Sequence, residues 1–186
     1  MPNLLENKQR WVSETQHLKK MKLENKKKFI YSSLIILVIF FLDRISKIYI
    51  LSLAKNNGSI DIYITKYLNI YLIWNEGIAF GLLSFDQSSI YTLITVLIAI
   101  ISILVLVLIV KTNDIRFYFY SFVFGGAIGN LFDRLYYAAV PDFIDMHINN
   151  YHWFIFNVAD IFITTGVLCL ILAELTFNKS LDNEKK

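Results

Sequence analysis

Four apolar stretches dominate the hydrophobic pattern of the chain. They run over residues 29–53, 90–110, 117–135 and 156–175. Each approaches the roughly 20 residues that a helix needs to cross the ~30 Å hydrocarbon core of a bilayer. The second stretch carries no charge, whereas the other three contain a few ionisable residues. No internal repeat is evident, so the pattern predicts one domain with four transmembrane helices.

Two of the connecting segments have the composition of β-strands. Residues 60–74 read IDIYITKYLNIYLIW and residues 151–156 read YHWFIF. Both are rich in β-branched and aromatic residues and show partial alternation. The sequence therefore predicts an all-α membrane protein with a small extracytoplasmic β-sheet or hairpin. We expect this sheet to pack on the outer ends of the helices, with its apolar face towards lipid or substrate.

The overall composition supports a membrane protein. The chain of 186 residues is 56 % hydrophobic and only 18 % charged, whereas an average soluble domain is about half apolar and about a quarter charged. The single cysteine, Cys169, excludes an internal disulfide and any zinc site built on several thiolates. Cys169 lies deep in the fourth apolar stretch and is interpreted as part of the helix packing.

The placement of Lys and Arg predicts the orientation. Thirteen of them lie in the N-terminal tail, in the 111–116 connection and in the C-terminal tail, against two, Lys55 and Lys66, in the opposite connections. Because cytoplasmic segments carry the excess of positive charge, both termini are expected in the cytoplasm. The predicted organisation is a basic tail over residues 1–28, a four-helix domain over 29–177 and a C-terminal tail over 178–186. The first tail fits a weakly amphipathic helix on anionic lipid, or a solvated basic arm.

Polar residues from separate segments fall at one depth near the predicted outer surface. Buried polar groups in membrane helices are costly and usually mark function, and scattered structural residues would have no reason to share a depth. The residues that do so are Asp43, Asn75, Asn130, Arg134, Asp142 and Asp160.

Several of these residues also have purely structural interpretations. Asp43 and Lys47 are spaced i,i+4 and can form an ion pair. Asn75-Glu-Gly77 has the composition of a turn. Gly125 and Gly129 form a G-x-x-x-G pair that is typical of close helix packing.

One arginine and two histidines also need an interpretation. Arg134 ends a stripe that begins with Gly126 and Asn130, and could either reach the membrane interface or direct donors into a cavity. His147 and His152 are placed in an outer loop without metal-ligand spacing, so surface or capping roles are expected. No metal or other cofactor is predicted.

Asp142 and Asp160 carry the strongest catalytic interpretation. Two carboxylates within a few ångströms of one another cannot both ionise cheaply, so the pair retains one proton. The charged member can then take a proton from water while the protonated member donates to the carbonyl under attack. This chemistry hydrolyses a peptide bond without a metal or a covalent intermediate, and no His–Ser or His–Cys arrangement competes with it in this region.

Five sequence blocks at these positions resemble the signature blocks of bacterial lipoprotein signal peptidases, also called signal peptidase II. The resemblance covers roughly residues 29–175, and the five blocks in order are highly specific. The blocks are LDRISK at 42–47, NEGIAF at 75–80, GGAIGNLFDR at 125–134, VPDF at 140–143 and FNVAD at 156–160.

The resemblance implies an aspartyl endopeptidase of the bacterial cytoplasmic membrane, with its active site near the extracytoplasmic face. Its substrates would be prolipoproteins whose lipobox cysteine carries diacylglyceryl, cut just before that cysteine. Asp142 and Asp160 would form the catalytic dyad, and Asn130 and Arg134 would help to hold the substrate backbone. The residues that would support or line the site are Asp43, Lys47, Asn75, Gly77 and Asn157. Membrane lipid would be a further partner; nucleic acid would not, and a monomer is expected.

Two other functions remain as alternatives. A small transporter or channel could use buried carboxylates to relay protons or bind a cation, but it would need polar residues through the full membrane depth. Residues 90–110 have no charged residue, and the inner halves of the other helices have few polar groups. A non-catalytic assembly factor would leave the convergence of carboxylates unexplained.

Overall fold

The computed structural model describes residues 4–77, 87–149 and 151–184. Long helices and a small sheet alternate along this part of the chain, which bears out the predicted mixture. The elements are α1 (Leu4–Asn57), β1 (Asp61–Thr65), β2 (Leu68–Asn75), α2 (Gln87–Lys111), α3 (Arg116–Tyr137), β3 (Val140–Ile148), β4 (Tyr151–Phe156) and α4 (Val158–Glu184).

Two helical segments within the described residues are long and apolar enough to cross a membrane. They are Ser89–Lys111 in α2 and Val158–Thr176 in α4. The other two apolar stretches lie in α1 and α3, which carry the charged residues of the LDRISK and GGAIGNLFDR blocks.

The N-terminal segment is helical and continuous with the first apolar stretch. Helix α1 has 54 residues, about 81 Å at 1.5 Å per residue, and no break marks the expected boundary between residues 28 and 29. Trp11 and Leu18 on this segment are exposed. The Lys28 side chain is buried and its Nζ donates to the carbonyl oxygen of Val110 at 2.7 Å. A cation at the carbonyl end of a helix is favourable, so Lys28 fixes α1 against the end of α2.

Glycines allow α3 to approach its neighbours closely. A Cβ on Gly125 would lie 3.1 Å from the Cβ of Ile39 in α1, and one on Gly129 would lie 2.7 Å from Oδ2 of Asp43. A Cβ on Gly126 would lie 2.5 Å from the carbonyl oxygen of Ala159 in α4. The packing role predicted for Gly125 and Gly129 is therefore confirmed, and α3 is held directly against α1 and α4.

The four strands form one antiparallel sheet in the order β1-β2-β3-β4. The predicted sheet is confirmed, but strand β3 was not predicted. The first four residues of β3, VPDF, are all buried, as in a strand covered on both faces, and the alternation that marks a half-exposed strand is confined to its last five residues, IDMHI. Phe143 of β3 packs with Ile50 and Ile60, which joins the sheet to the end of α1.

The placement of two histidines in an outer loop was wrong. His147 lies on β3 and His152 on β4, where the two residues pair directly across the strands. Only residues 149 and 150 separate these strands, so the segment folds as a tight hairpin and both histidines join the sheet.

Candidate active site

Asp142 and Asp160 line one open cleft between the sheet and α4. Asp142 lies on β3, and Asp160 lies in the first turn of α4. The cleft has a volume of about 670 Å³. Its lining within the described residues consists of Asn75, Asp142, Met146, Phe154, Ile155, Phe156, Asp160, Ile161, Thr164 and Thr165. Two carboxylates therefore face a space that is otherwise mostly apolar.

Two asparagine amides hold the carboxylate of Asp142. Asn75 Nδ2 donates to Oδ2 at 2.8 Å, and Asn157 Nδ2 donates to Oδ1 at 2.6 Å. Burial raises the pKa of Asp142 to about 6, and the nearby charge of Asp160 acts in the same direction, while the two amide donors oppose it. This carboxyl can therefore exchange its proton at a pH close to neutrality.

Asp160 is held by Asn130 and by the start of its own helix. Asn130 Nδ2 donates to Asp160 Oδ1 at 2.7 Å, and the backbone N–H of Asn157 donates to Oδ2 at 3.1 Å. The backbone N–H of Asp160 donates in turn to Asn157 Oδ1 at 3.2 Å. These reciprocal bonds form a capping box at the first turn of α4. Asn157 thus contacts both aspartates.

A buried network of four charged residues lies next to this pair. Lys47 Nζ contacts Asp43 Oδ1 at 2.9 Å and Asp133 Oδ2 at 2.6 Å, which confirms the predicted ion pair of Asp43 with Lys47. Arg44 donates to the same two carboxylates, at 2.8 Å and 2.7 Å. Two positive and two negative charges balance one another, as buried charges require.

The charged network is joined to the dyad at two points. Lys47 Nζ donates to Asn130 Oδ1 at 2.9 Å, so the Asn130 amide is engaged at both ends. Asp43 Oδ1 accepts the backbone N–H of Ala159 at 3.1 Å, at the start of α4. A carboxylate at a helix N-terminus is favourable. The network therefore orients Asn130 and the beginning of α4, which carry the contacts to Asp160.

Arg134 lies beside Gly77 with unused donors. Its guanidinium carbon is 5.5 Å from the ring centroid of Tyr91, whose hydroxyl donates to the Arg134 carbonyl oxygen at 2.6 Å. A Cβ on Gly77, which has a φ of +81°, would lie 2.9 Å from Arg134 Nη1. Within the described residues, the buried Nε and Nη1 of Arg134 have no hydrogen-bond partner. Buried N–H groups without partners are rare, so these two are available to a bound molecule.

Solved structures with a similar fold are bacterial membrane enzymes. One, determined by the in meso method at 2.3 Å resolution, has a TM-score of 0.62 and 29 % identity over 81 % of this chain and 90 % of that chain. Another, at 1.9 Å resolution, has a TM-score of 0.64 and 31 % identity over 78 % of this chain and 92 % of that chain.

Sequence comparison names the family. The lipoprotein signal peptidase of Anaplasma phagocytophilum (strain HZ) is 40 % identical over 150 residues, 80 % of this chain and 94 % of the relative. That of Pelagibacter ubique (strain HTCC1062) is 56 % identical over 161 residues, 87 % of this chain and 97 % of the relative. The family model described as "Signal peptidase (SPase) II" matches residues 35–176. The chain belongs to the signal peptidase II family.

Membership of the signal peptidase II family assigns the general activity. The chain is an aspartic protease that removes signal peptides from prolipoproteins. The transporter alternative is not supported.

The nine residues predicted for a signal peptidase II site form one connected group. Gly77 joins it through its N–H, which donates to Asn75 Oδ1 at 2.7 Å. Asn130, predicted to help hold the substrate backbone, donates to Asp160 and accepts from Lys47 in this structure. Residues 78–80 of the NEGIAF block lie outside the described residues.

Sequence reasoning missed three contributors to this arrangement. Arg44 and Asp133 complete the charged network, and Tyr91 of α2 lies under Arg134. Arg44 lies in the LDRISK block and Asp133 in the GGAIGNLFDR block. Each is a charged residue within an apolar stretch, so the need of a buried charge for a partner of opposite sign could have indicated both. Tyr91 belongs to no block, and no feature of the sequence marked it.

Proposed function

We propose that this signal peptidase II family member cleaves prolipoproteins whose lipobox cysteine carries diacylglyceryl, immediately before that cysteine. The catalytic pair is Asp142 and Asp160. The observation that carries the assignment is the position of these two carboxylates, which face one largely apolar cleft and are each held by an asparagine amide. An apolar cleft suits a lipid-modified substrate, and the lipid anchor would keep the scissile bond at the membrane surface.

The chemistry requires one proton shared by the two aspartates. The ionised carboxylate takes a proton from water as the water oxygen bonds to the scissile carbonyl carbon, and the protonated carboxyl donates to the carbonyl oxygen. The tetrahedral intermediate collapses when its C–N bond breaks and a proton passes to the leaving nitrogen. The signal peptide leaves with a new carboxyl terminus, and the lipidated cysteine gains a free amine.

The other site residues position these groups or the substrate. Asn75 and Asn157 orient Asp142, and Asn130 orients Asp160, supported by Lys47 and the charged network. Arg134, packed against Gly77, offers its unused N–H groups to carbonyl oxygens of the substrate backbone.

Four membrane-spanning helices and a multi-pass location in the inner membrane are part of the proposal. Beyond the two apolar spans, α1 exposes large hydrophobic side chains between Phe29 and Tyr49, and α3 exposes Leu135. The exposed α1 residues include Leu34, Leu37, Val38, Phe41, Ile45 and Ile48. Lipid would cover these surfaces, because proteins in water rarely expose such large contiguous apolar patches.

The excess of positive charge supports a topology with both termini in the cytoplasm and the sheet outside. The organisation is a basic tail over residues 1–28, a peptidase domain over 29–177 and a C-terminal tail over 178–186. The chain acts as a monomer in contact with lipid and has no nucleic-acid partner.

Cleavage by the reconstituted protein tests the proposed substrate. We expect a diacylglyceryl-modified prolipoprotein to be cut at least about tenfold faster than the same polypeptide without lipid, because each CH₂ buried in lipid contributes ~0.8 kcal/mol to its anchoring. Mass spectrometry of both products would locate the cut. Equal rates for the two substrates, or a cut at another bond, would contradict the proposed specificity.

Replacement of Arg134 by lysine tests its role in substrate positioning. Lysine keeps the charge but loses the planar fork of donors. We expect Arg134→Lys to raise KM by about tenfold with a smaller change in kcat, because a lost hydrogen bond to a charged donor costs about 1.5 kcal/mol or more. The matched control is Arg10→Lys, on the exposed N-terminal part of α1. Unchanged KM in both variants would remove Arg134 from the substrate site.

The cleavage rate should follow a bell-shaped dependence on pH. A second proton on the pair removes the base, and loss of the shared proton removes the acid. Because burial raises the pKa of Asp142 to about 6, the alkaline limb should be centred near or above pH 6, beyond the ordinary range of an aspartate. Initial rates in one detergent over a series of buffers would measure it. A monotonic rise to a plateau, with chemistry rate-limiting, would indicate a single general base.

A further inference from the structure

A second cluster of ionisable side chains lies on the β3–β4 hairpin, apart from the dyad. His152 Nδ1 lies 2.8 Å from Asp145 Oδ2, and His147 Nδ1 lies 3.4 Å from the same oxygen. One ligand atom from each of the three residues can be chosen so that all three atoms lie within 4.8 Å of one another. Asp145 and His147 are two positions apart on β3, and His147 pairs directly with His152. The hairpin register therefore brings two imidazoles and one carboxylate together.

This cluster contains buried polar atoms that have no partner. Asp145 is fully buried, and within the described residues its only charge partners are the two histidines. Its Oδ1 has no hydrogen-bond partner, and neither has Nδ1 of His147. A buried carboxylate normally requires a cation or several donors. The cluster therefore offers a buried carboxylate oxygen and a buried imidazole nitrogen that a bound cation would satisfy.

A third unpartnered atom belongs to the neighbouring strand. Asn69 of β2 lies directly opposite Asp145, and its buried Oδ1 also lacks a hydrogen-bond partner. Directly paired residues project from the same face of a sheet, so this amide oxygen is on the side of the sheet that carries the cluster.

The cluster is on the opposite face of β3 from the catalytic cleft. Successive side chains of a strand alternate between faces, so Asp145 and His147 face away from Asp142 and Met146. The latter two residues line the cleft, whereas Asp145 and His147 do not. A bound ion there would not touch the substrate or the dyad.

The donor set selects a borderline transition metal. Two imidazoles and one carboxylate suit Zn²⁺, whose nitrogen and oxygen ligands lie at about 2.0–2.2 Å, and a fourth position can be filled by water or an amide oxygen. Mg²⁺ and Ca²⁺ prefer sets made entirely of oxygen. Ligand atoms around a tetrahedral zinc are separated by roughly 3.4 Å.

We propose that Asp145, His147 and His152 form a Zn²⁺ site that ties β4 to β3 on the face of the sheet away from the catalytic cleft. The ion satisfies the unpartnered atoms of Asp145 and His147 and links β3 to β4, the strand that leads into Asn157 and α4. The role is structural, and the assignment does not depend on the proposed substrate.

Direct metal binding tests this site. The full chain is purified in detergent through a tag without histidine, stripped with a chelator, desalted and titrated with ZnCl₂ alone. We expect one zinc ion per chain by elemental analysis and a single binding step by calorimetry. Co²⁺ in place of Zn²⁺ should give the visible absorption of a tetrahedral site. Zinc should also raise the Tm, because an ion that binds only the folded state stabilises it.

Histidine variants provide matched controls. His147→Gln and His152→Gln should each weaken zinc binding at least about tenfold, and His152→Gln should abolish the rise in Tm while leaving the fold intact, because this side chain is 53 % exposed. His17→Gln replaces the remaining histidine of the chain, on the exposed part of α1, and should bind zinc like the parent. Failure of the parent chain to bind zinc, or equal binding by all three variants, would overturn the proposal and leave a simple His–Asp ion pair.

Discussion

Asp142→Asn and Asp160→Asn should each lower the rate of prolipoprotein cleavage by at least about 10³-fold, within the range that loss of a positioned acid or base produces. Both changes are nearly isosteric, so the variants should insert and accumulate like the parent chain. An amide cannot hold the shared proton or accept one from water. Single-turnover rates on the diacylglyceryl-modified substrate, with immunoblots of the membrane fraction, would measure both effects.

An exposed aspartate of the same sheet provides the control for these variants. Asp61 lies on β1 with its side chain in solvent, and Asp61→Asn should cleave at the parental rate. Near-normal turnover by either dyad variant would remove that aspartate from the catalytic pair. Loss of turnover in all three variants would point to damage of the sheet and not to chemistry.

Lys47→Met should produce the largest loss of stability among single changes near the site. Lys47 is fully buried and contacts Asp43, Asp133 and Asn130. Its removal leaves two buried carboxylates with Arg44 as their remaining cation. Breaking a buried ion network in this way costs about 3–5 kcal/mol of unfolding free energy. Thermal unfolding in detergent should show a clear fall in Tm, and cleavage should fall as well because Asn130 loses its anchor.

Lys66→Met is the matched control for this loss. Lys66 lies exposed in the turn between β1 and β2, and surface charges contribute little to stability. Its Tm should stay close to that of the parent chain. Equal shifts in Tm for the two lysine variants would mean that the buried network does not stabilise the fold.

The helices were predictable because each carries a long apolar run that length alone identifies. Strand β3 was not, because its register with β2 and β4 is a long-range property. Its first half, VPDF, contains a proline and does not alternate, and only the short second half, IDMHI, does. The sheet depends on pairing between residues about 70 positions apart, such as Asn69 with Asp145. No local pattern encodes that pairing.

The sequence predicted that the residues of the candidate site lie at a similar depth in the membrane. The contacts between them are visible only in the structure. Helix direction and spacing placed Asp43, Asn130 and Asp160 near one surface. The sequence could not show that the Asn130 side chain hydrogen-bonds to Asp160 and Lys47, because these contacts depend on how closely α3 approaches α1 and α4. The histidine cluster was missed for a related reason. The spacing of His147 and His152 fits no helical metal motif, and becomes meaningful only when a tight hairpin pairs them.

The double duty of Asn157 bears on how resistance to an inhibitor could arise. The side chain of Asn157 caps α4 and donates to Asp142. The backbone N–H of the same residue donates to Asp160. A mutation of Asn157 that shifted a carboxylate away from a bound drug would also remove the cap at the start of α4 and disturb the two aspartates proposed as the catalytic pair. Escape variants are therefore expected at the apolar rim, at positions such as Phe154 and Ile161. A compound that gains its affinity from the two carboxylates and the Asn157 amide would leave this enzyme few viable routes to evade it.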